Sequence, residues 1–230
     1  MLLARLLLAA AALLGGACGP SAAKPSSAAP APARPAIVQV GAPVLRERAV
    51  EVAPERIATP EIQNLIAAMI DAMRRAPGVG LAAPQLGVGL RILVLEDTAE
   101  RMARLTADEL RERERVPLPV RVFINPTLHP IGDETRTFFE GCLSVEGYTA
   151  LVERHYEVEV RGLDEHGRPQ TMRARGWPAR ILQHEVDHLD GTLYIDRMVS
   201  RSFSTSEQAR ARFGGRPIAE ILAAFGLAPP

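Results

Sequence analysis

Apolar residues recur at Ile62, Leu65, Ile66, Met69, Ile70 and Met73, the three- and four-residue spacing of a helix that buries one face. Thr59 stands at the N-cap position and Pro60 at the first helical one, so the pattern predicts an amphipathic helix running to about Ala76. The next stretch, "PGVGLAAPQLGVG" at 77–89, is too rich in Gly and Pro for a regular element. Beyond it the period shortens. "RILVLE" (91–96) and "VRVFIN" (120–125) read as strands, separated by an Arg- and Glu-laced stretch of solvated helix or loop. "TRTFFEGCLSV" (135–145) is strand-like around Gly141. "YEVEVRGL" and "QTMRARG" flank "DEHGRP" (164–169), which predicts a hairpin with a loop longer than two residues. A second helix opens at Pro178 and closes at Gly191. A last short helix is predicted over 217–226, with Ile218, Ile221, Leu222 and Phe225 inward. Strands first and a key helix later predict an α+β domain of mostly antiparallel sheet around that helix.

The helix in "WPARILQHEVDHLDG" (177–191) departs from an ordinary amphipathic pattern. At about 100° per residue, Ile181, His184, Glu185 and His188 fall in one arc. Two imidazoles and a carboxylate thus occupy a face that should be apolar, and burying them unpartnered costs on the order of several kcal/mol. Histidines at i and i+4 can aim ring nitrogens at one divalent ion, with the intervening Glu within reach of water at the ion's open position. The other reading is a surface helix with two solvated histidines. A metal on two histidines needs a further protein ligand. Asp190 and Asp196 lie too close along the chain to supply it. Cys142 in "EGCLS" offers a thiolate beside Gly141, which permits close backbone approach. Cys142 reads equally as a small buried core residue.

Three stretches taken together narrow these alternatives. "GVGLAAPQ" (78–85), "EGCLS" (140–144) and "QHEVDHLDG" (183–191) resemble, in order and spacing, the motifs of the peptide deformylases. The resemblance spans about residues 37–205, and "GWPARILQHEVDHLDGTLYIDRM" with "SRSFST" is most similar to the organellar-type branch. It implies an α+β fold with the H-E-x-x-H motif on a central helix. It also implies hydrolysis of the formyl group from N-formyl-methionyl peptides or nascent chains, with release of formate. Cys142, His184 and His188 match the metal ligands, and Glu185 the general acid/base. Gln85 and the backbone N–H of Leu143 match the groups that stabilise the oxyanion. Gly78, Val79 and Gly80 match the loop lining the site, and Glu140, Gly141 and Ile181 fall on the substrate side. Glu140 and Arg154 match a supporting ion pair. One divalent metal is implied, Fe(II) foremost, with Zn or Ni as alternatives. Where the family often continues Pro-Gly-Tyr-Arg, this chain has Glu146, Gly147, Tyr148 and Thr149, and Glu153 replaces a later Pro; these positions border the peptide-binding side.

Composition changes the picture mainly at the N-terminus. A chain of 230 residues, 47% hydrophobic, supports one domain with its own core plus an appendage. Zero formal net charge gives no general attraction to nucleic acid. Residues 1–18 run from Arg5 through an apolar stretch to small residues and Cys18, the layout of an export signal ending in a lipidation site. Residues 19–36, nearly all Ala, Pro and Ser, read as a tether. The expected organisation is therefore signal segment (1–18), tether (19–36), catalytic domain (37–205) and C-terminal extension with a short helix (206–230). The expected product is a monomeric, extracytoplasmic lipoprotein anchored through Cys18. A start near Val38 or Val40 would instead leave a cytoplasmic protein. Two rival functions share the helix: a secreted H-E-x-x-H metallopeptidase, opposed by the Cys142 and Gln85 motifs, and a non-catalytic metal-binding lipoprotein, opposed by the intact Glu185 and Gln85.

Overall fold

The computed structural model describes residues 36–228 apart from Pro77. The segment 1–18 and all but the last residue of the tether lie outside the described residues. In chain order the elements are helix α1 (Pro60–Arg75), strands β1 (Gly80–Ala82) and β2 (Ile92–Asp97), and short helices α2 (Ala99–Met102) and α3 (Ala107–Glu112). Strands β3 (Leu118–Pro130), β4 (Thr135–Cys142), β5 (Val145–His155), β6 (Glu157–Leu163) and β7 (Pro169–Arg175) follow. Helices α4 (Trp177–Leu189) and α5 (Tyr194–Arg197), strand β8 (Ser204–Thr205), and helices α6 (Ser206–Phe213) and α7 (Ile218–Ala224) complete the chain.

Two antiparallel sheets result, one in the order β1-β2-β3-β6-β7 and one in the order β4-β5-β8. The larger sheet is covered on both faces. Ile62, Ile66, Met69 and Met73 of α1 pack with Ile92, Val94, Val122 and Ile124. On the opposite side Ala179, Ile181, Leu182 and Leu189 of α4 pack with Leu93, Leu95, Phe123, Val158 and Val160. Every residue of β2 is consequently buried, which explains why "RILVLE" reads as a continuous apolar run rather than an alternating one.

Several expectations need adjustment. The Gly/Pro-rich stretch contains strand β1 and a 3₁₀ turn, Ala83–Leu86. Strand β3 reaches Pro130, beyond Asn125, by shifting register between Ile124 and Thr127. Asn125 adopts a positive φ of 53° there, and its side chain makes two 2.8 Å hydrogen bonds with the backbone of Val52. Strand β5 was not anticipated beyond Val145, because Glu153 and Arg154 interrupt its apolar pattern while Arg154 itself points inward. Helix α6 was missed because only Ala209 and Phe213 of its residues are buried. Together with α7 it places Phe213, Ile218, Ile221 and Leu222 against Phe138 and Leu151, so the C-terminal extension is part of the core.

Helix α4 starts from a backbone that only glycine tolerates well. Gly176 has φ 62° and ψ −129°, and a Cβ there would lie 2.8 Å from Glu114 Cβ and 3.0 Å from Arg113 O. Its N–H donates to Tyr156 O at 2.9 Å, and the Trp177 N–H donates to Arg113 O at 2.9 Å. Gly176→Ala should therefore destabilise the protein by about 1–3 kcal/mol. A urea midpoint unchanged from wild type would show that the turn carries no strain.

Candidate metal centre

The three motifs meet at the inward face of α4. Cys142 ends strand β4, directly before the two-residue Leu143–Ser144 turn into β5. His184 and His188 stand one helical turn apart on α4, and one donor atom from each of the three residues lies within 4.8 Å of the others. Cys142 Sγ is 3.2 Å from His188 Nε2, close to the separation of about 3.5 Å that a thiolate and an imidazole take around one tetrahedral ion. His184 Nδ1 faces Glu140 Oε2 at 3.0 Å, which leaves Nε2 for a ligand and fixes the ring as outer carboxylates do in metal sites.

Glu140 is 5% exposed and anchors the support of the site. Arg154 Nε and Nη2 each donate to its carboxylate at 3.0 Å, and Arg180 Nη1 donates at 2.5 Å. Arg154 also reaches Asp187, whose carboxylate accepts two 2.8 Å bonds from Arg197. Burial pushes the Glu140 carboxyl up, but His184, Arg154 and Arg180 together hold it well below the usual carboxylate range. Glu140 thus turns its charge toward His184 and the two arginines. Asp187 is itself buried within this network.

The donor set suits a soft-to-borderline divalent cation. In the metal-free protein burial alone would strip His184 of its proton, but bonds to Cys142 and Glu140 raise its pKa well above the ordinary value. The same surroundings therefore stabilise positive charge at this point, which is what a cation requires. His188 goes the other way: burial and the neighbouring His184 charge keep it neutral.

Glu185 is 4% exposed and its Oε2 has no hydrogen-bond partner. A buried carboxylate oxygen without a donor is placed to accept a proton from a small molecule held beside it. Burial pushes its pKa up to about 7. Gly80 is required here for packing: a Cβ would overlap Glu185 Oε1. Gly78 similarly admits Leu143, whose Cδ1 would lie 2.7 Å from an added Cβ. A Cβ on Gly141 would meet only Tyr148 O at 3.5 Å, an ordinary contact.

Gln85 is oriented by its own turn. Its Oε1 accepts from the Ala82 N–H at 2.8 Å, so Nε2 points to Ser144 Oγ at 3.2 Å and Cys142 Sγ at 3.6 Å. A cleft of about 850 Å³ opens over these groups, bounded by Val79, Leu143, Tyr148, Trp177 and Ile181 among others. Three contributors escaped sequence reasoning. Arg180 precedes His184 by one helical turn, so helical periodicity could have found it. Ser144 follows Cys142 in the same turn. Tyr194, which stacks on His184 with centroids 6.3 Å apart, carries no local signal.

The polypeptide deformylase family model matches residues 35–204. Peptide deformylase 1A, chloroplastic, of Solanum lycopersicum is 53% identical over 171 residues, which cover 74% of this chain and 62% of that protein. Peptide deformylase 1A, chloroplastic/mitochondrial, of Arabidopsis thaliana is 53% identical over 169 residues, covering 74% and 63%. The chain therefore spans a little over three fifths of the length of these two relatives. A class I type b peptide deformylase from Acinetobacter baumannii, solved with Met-Ala-Ser bound, aligns with TM-score 0.63 at 30% identity, covering 71% of this chain and 97% of that one. These findings overturn the expected extracytoplasmic lipoprotein, since the plant relatives are chloroplastic or mitochondrial enzymes. Residues 1–36 contain no Asp or Glu, and an acid-free leader is a feature that export signals share with organelle-targeting segments. Among the described residues no helix is long and apolar enough to cross a membrane.

The Glu185 environment contributes a pH dependence to the stability of the metal-free protein. Its folded pKa, raised to about 7, exceeds that of an unfolded glutamate, so its contribution to stability is full below about pH 4.3 and is lost as pH rises through about 7. Metal-free Glu185→Gln escapes this loss and should gain about 2–3 kcal/mol relative to wild type between pH 5 and pH 8. Denaturation curves showing the same difference at both pH values would contradict the buried, unpartnered carboxylate.

Proposed function

The chain belongs to the polypeptide deformylase family, and we propose that it hydrolyses the formamide at the start of N-formyl-methionyl peptides, releasing formate and a free amine. One observation carries this reading. Glu185, with its unpartnered carboxylate oxygen, and Gln85, with its oriented amide, line the same cleft as Cys142 and His184 of the three-residue donor cluster.

Cys142, His184 and His188 would hold the metal. When bound, a divalent metal supplies Lewis acidity, polarising the formyl oxygen and lowering the pKa of the attacking water toward neutrality. We assign Fe(II) on the family resemblance; the thiolate and two imidazoles also accommodate Zn and Ni. Glu185 takes the proton from water at its free Oε2 and returns it to the leaving nitrogen. Burial of the Glu185 carboxyl opposes the pull of a neighbouring cation toward the ionised form, and a group that gains and loses a proton readily serves as base and then as acid. Gln85 Nε2 and the Leu143 N–H donate to the formyl oxygen as charge develops, which counts only in the transition state. Val79, Trp177 and Ile181 offer an apolar wall of the cleft for the methionine side chain. Support for the peptide substrate comes from the Acinetobacter relative, which holds Met-Ala-Ser. One chain supplies every group, so a monomer suffices, and residues 37–205 with the packed C-terminal helices constitute the catalytic unit.

The test is formate release from formyl-Met-Ala-Ser by the full-length, metal-loaded chain, beside an internally cleavable peptide. Formate should appear and internal bonds should survive. Glu185→Gln should keep the metal and lose about 10²–10⁴-fold in turnover. Gln85→Leu should lower kcat by about 10²–10³-fold, and Cys142→Ala should lose metal by elemental analysis. Internal cleavage without formate would favour a metallopeptidase, and metal binding without turnover of either peptide would favour a non-catalytic protein.

A further inference from the structure

The segment Ile37–Val40, far from the three motifs in sequence, is laced to the side of the site that carries Cys142. The Val38 N–H donates to Gln85 O at 2.9 Å and the Val40 N–H to Ser144 O at 2.7 Å. Between them the exposed Gln39 uses both ends of its amide. Nε2 donates to Leu143 O at 2.9 Å, and Oε1 accepts the Glu146 N–H at 3.2 Å. The second bond depends on a feature of this chain, since a proline at position 146 would have no N–H to give.

The first bond has a chemical consequence. Leu143 O and the Ser144 N–H belong to one peptide unit, and that N–H donates to Cys142 Sγ at 3.4 Å. Gln39 therefore stands at the head of a chain that runs from its amide through the Leu143–Ser144 peptide to the sulfur. Donation to a carbonyl polarises its peptide and strengthens the bond made by the N–H on the other side. A stronger N–H···S bond draws electron density from the thiolate and fixes its direction. Hydrogen-bond partners one step outside a metal's ligands typically change metal affinity or activity by about 10–100-fold when removed.

We propose that Gln39 is a positioning residue of the metal centre, acting through the Leu143–Ser144 peptide to orient and polarise the hydrogen bond received by Cys142 Sγ. The proposal rests on the reading of Cys142, His184 and His188 as the ligands. It does not depend on which substrate the enzyme hydrolyses.

Two substitutions separate relay from brace. Gln39→Ala removes both bonds. Gln39→Glu keeps an acceptor for the Glu146 N–H but sets a carboxylate against Leu143 O, so the relay is lost while that tie to the turn survives. The full-length chain and both variants would be loaded with Co(II). The readouts are the thiolate-to-Co(II) charge-transfer band, Co(II) affinity by chelator competition, and hydrogen exchange at the Glu146 amide. Both variants should shift the band and weaken Co(II) binding by about tenfold, the lower end of the range for such partners. Only Gln39→Ala should expose the Glu146 amide. A wild-type band and affinity in Gln39→Glu, with changes confined to Gln39→Ala, would reduce Gln39 to a brace and overturn the relay. Wild-type values in both variants would overturn any role at the metal. A wild-type chain that takes up no Co(II) would remove the metal reading itself, and formate release by wild type tests the substrate reading separately.

Discussion

The carboxylate of Glu140, ionised in the interior, joins the pieces of the site. Taking such a charge out of water costs several kcal/mol, and only close, hydrogen-bonded partners offset it. Those partners come from separate elements: Arg154 from β5, and Arg180 and His184 from α4. Glu140 itself stands two residues before Cys142 on β4. Satisfying one buried charge therefore sets the strand that carries the sulfur against the helix that carries the imidazoles. The same requirement continues outward, because Arg154 also meets Asp187, which in turn meets Arg197.

The rest of the molecule holds that junction in place. α4 is packed against one face of the larger sheet while α1 covers the other, so the inward face of α4 has little freedom to rotate. The polar arc that looked anomalous on a buried helix is accounted for residue by residue. His184 has Glu140, His188 faces Cys142 through Nε2 while its buried Nδ1 has no partner, and Glu185 keeps an oxygen without a donor. Buried atoms without a partner thus remain at this site on His188, Tyr194 and Glu185, and the Glu185 oxygen among them belongs to the residue assigned proton transfer.

Much of this was legible in the sequence, for identifiable reasons. α1 follows a simple helical periodicity, β2 is a short continuous apolar run, and the shared face of His184, Glu185 and His188 follows from helical geometry. The α6 helix was not legible because it buries too few residues to leave a pattern. Strand β5 was obscured because Arg154 is inward-facing, a placement that makes sense only once its side chain is known to meet the Glu140 carboxylate. The reason for a glycine at position 80 was not legible either: the Glu185 carboxylate excludes a side chain there. Contacts between distant segments, such as Tyr194 on His184 or Gln39 on Leu143, have no signature in local spacing. The reading of residues 1–36 misled because a composition without acidic residues does not tell an export signal from other N-terminal segments.

If the buried Glu140 charge organises the centre, neutralising it without changing its size must weaken the metal site while the surrounding core persists. The direct measurement is Zn or Co(II) affinity of Glu140→Gln by chelator competition, with near-ultraviolet circular dichroism as a check that the core is intact. The account predicts a folded protein whose affinity falls by at least about tenfold, as expected for loss of a charged partner behind a histidine ligand. A folded variant that binds metal as tightly as wild type would contradict it.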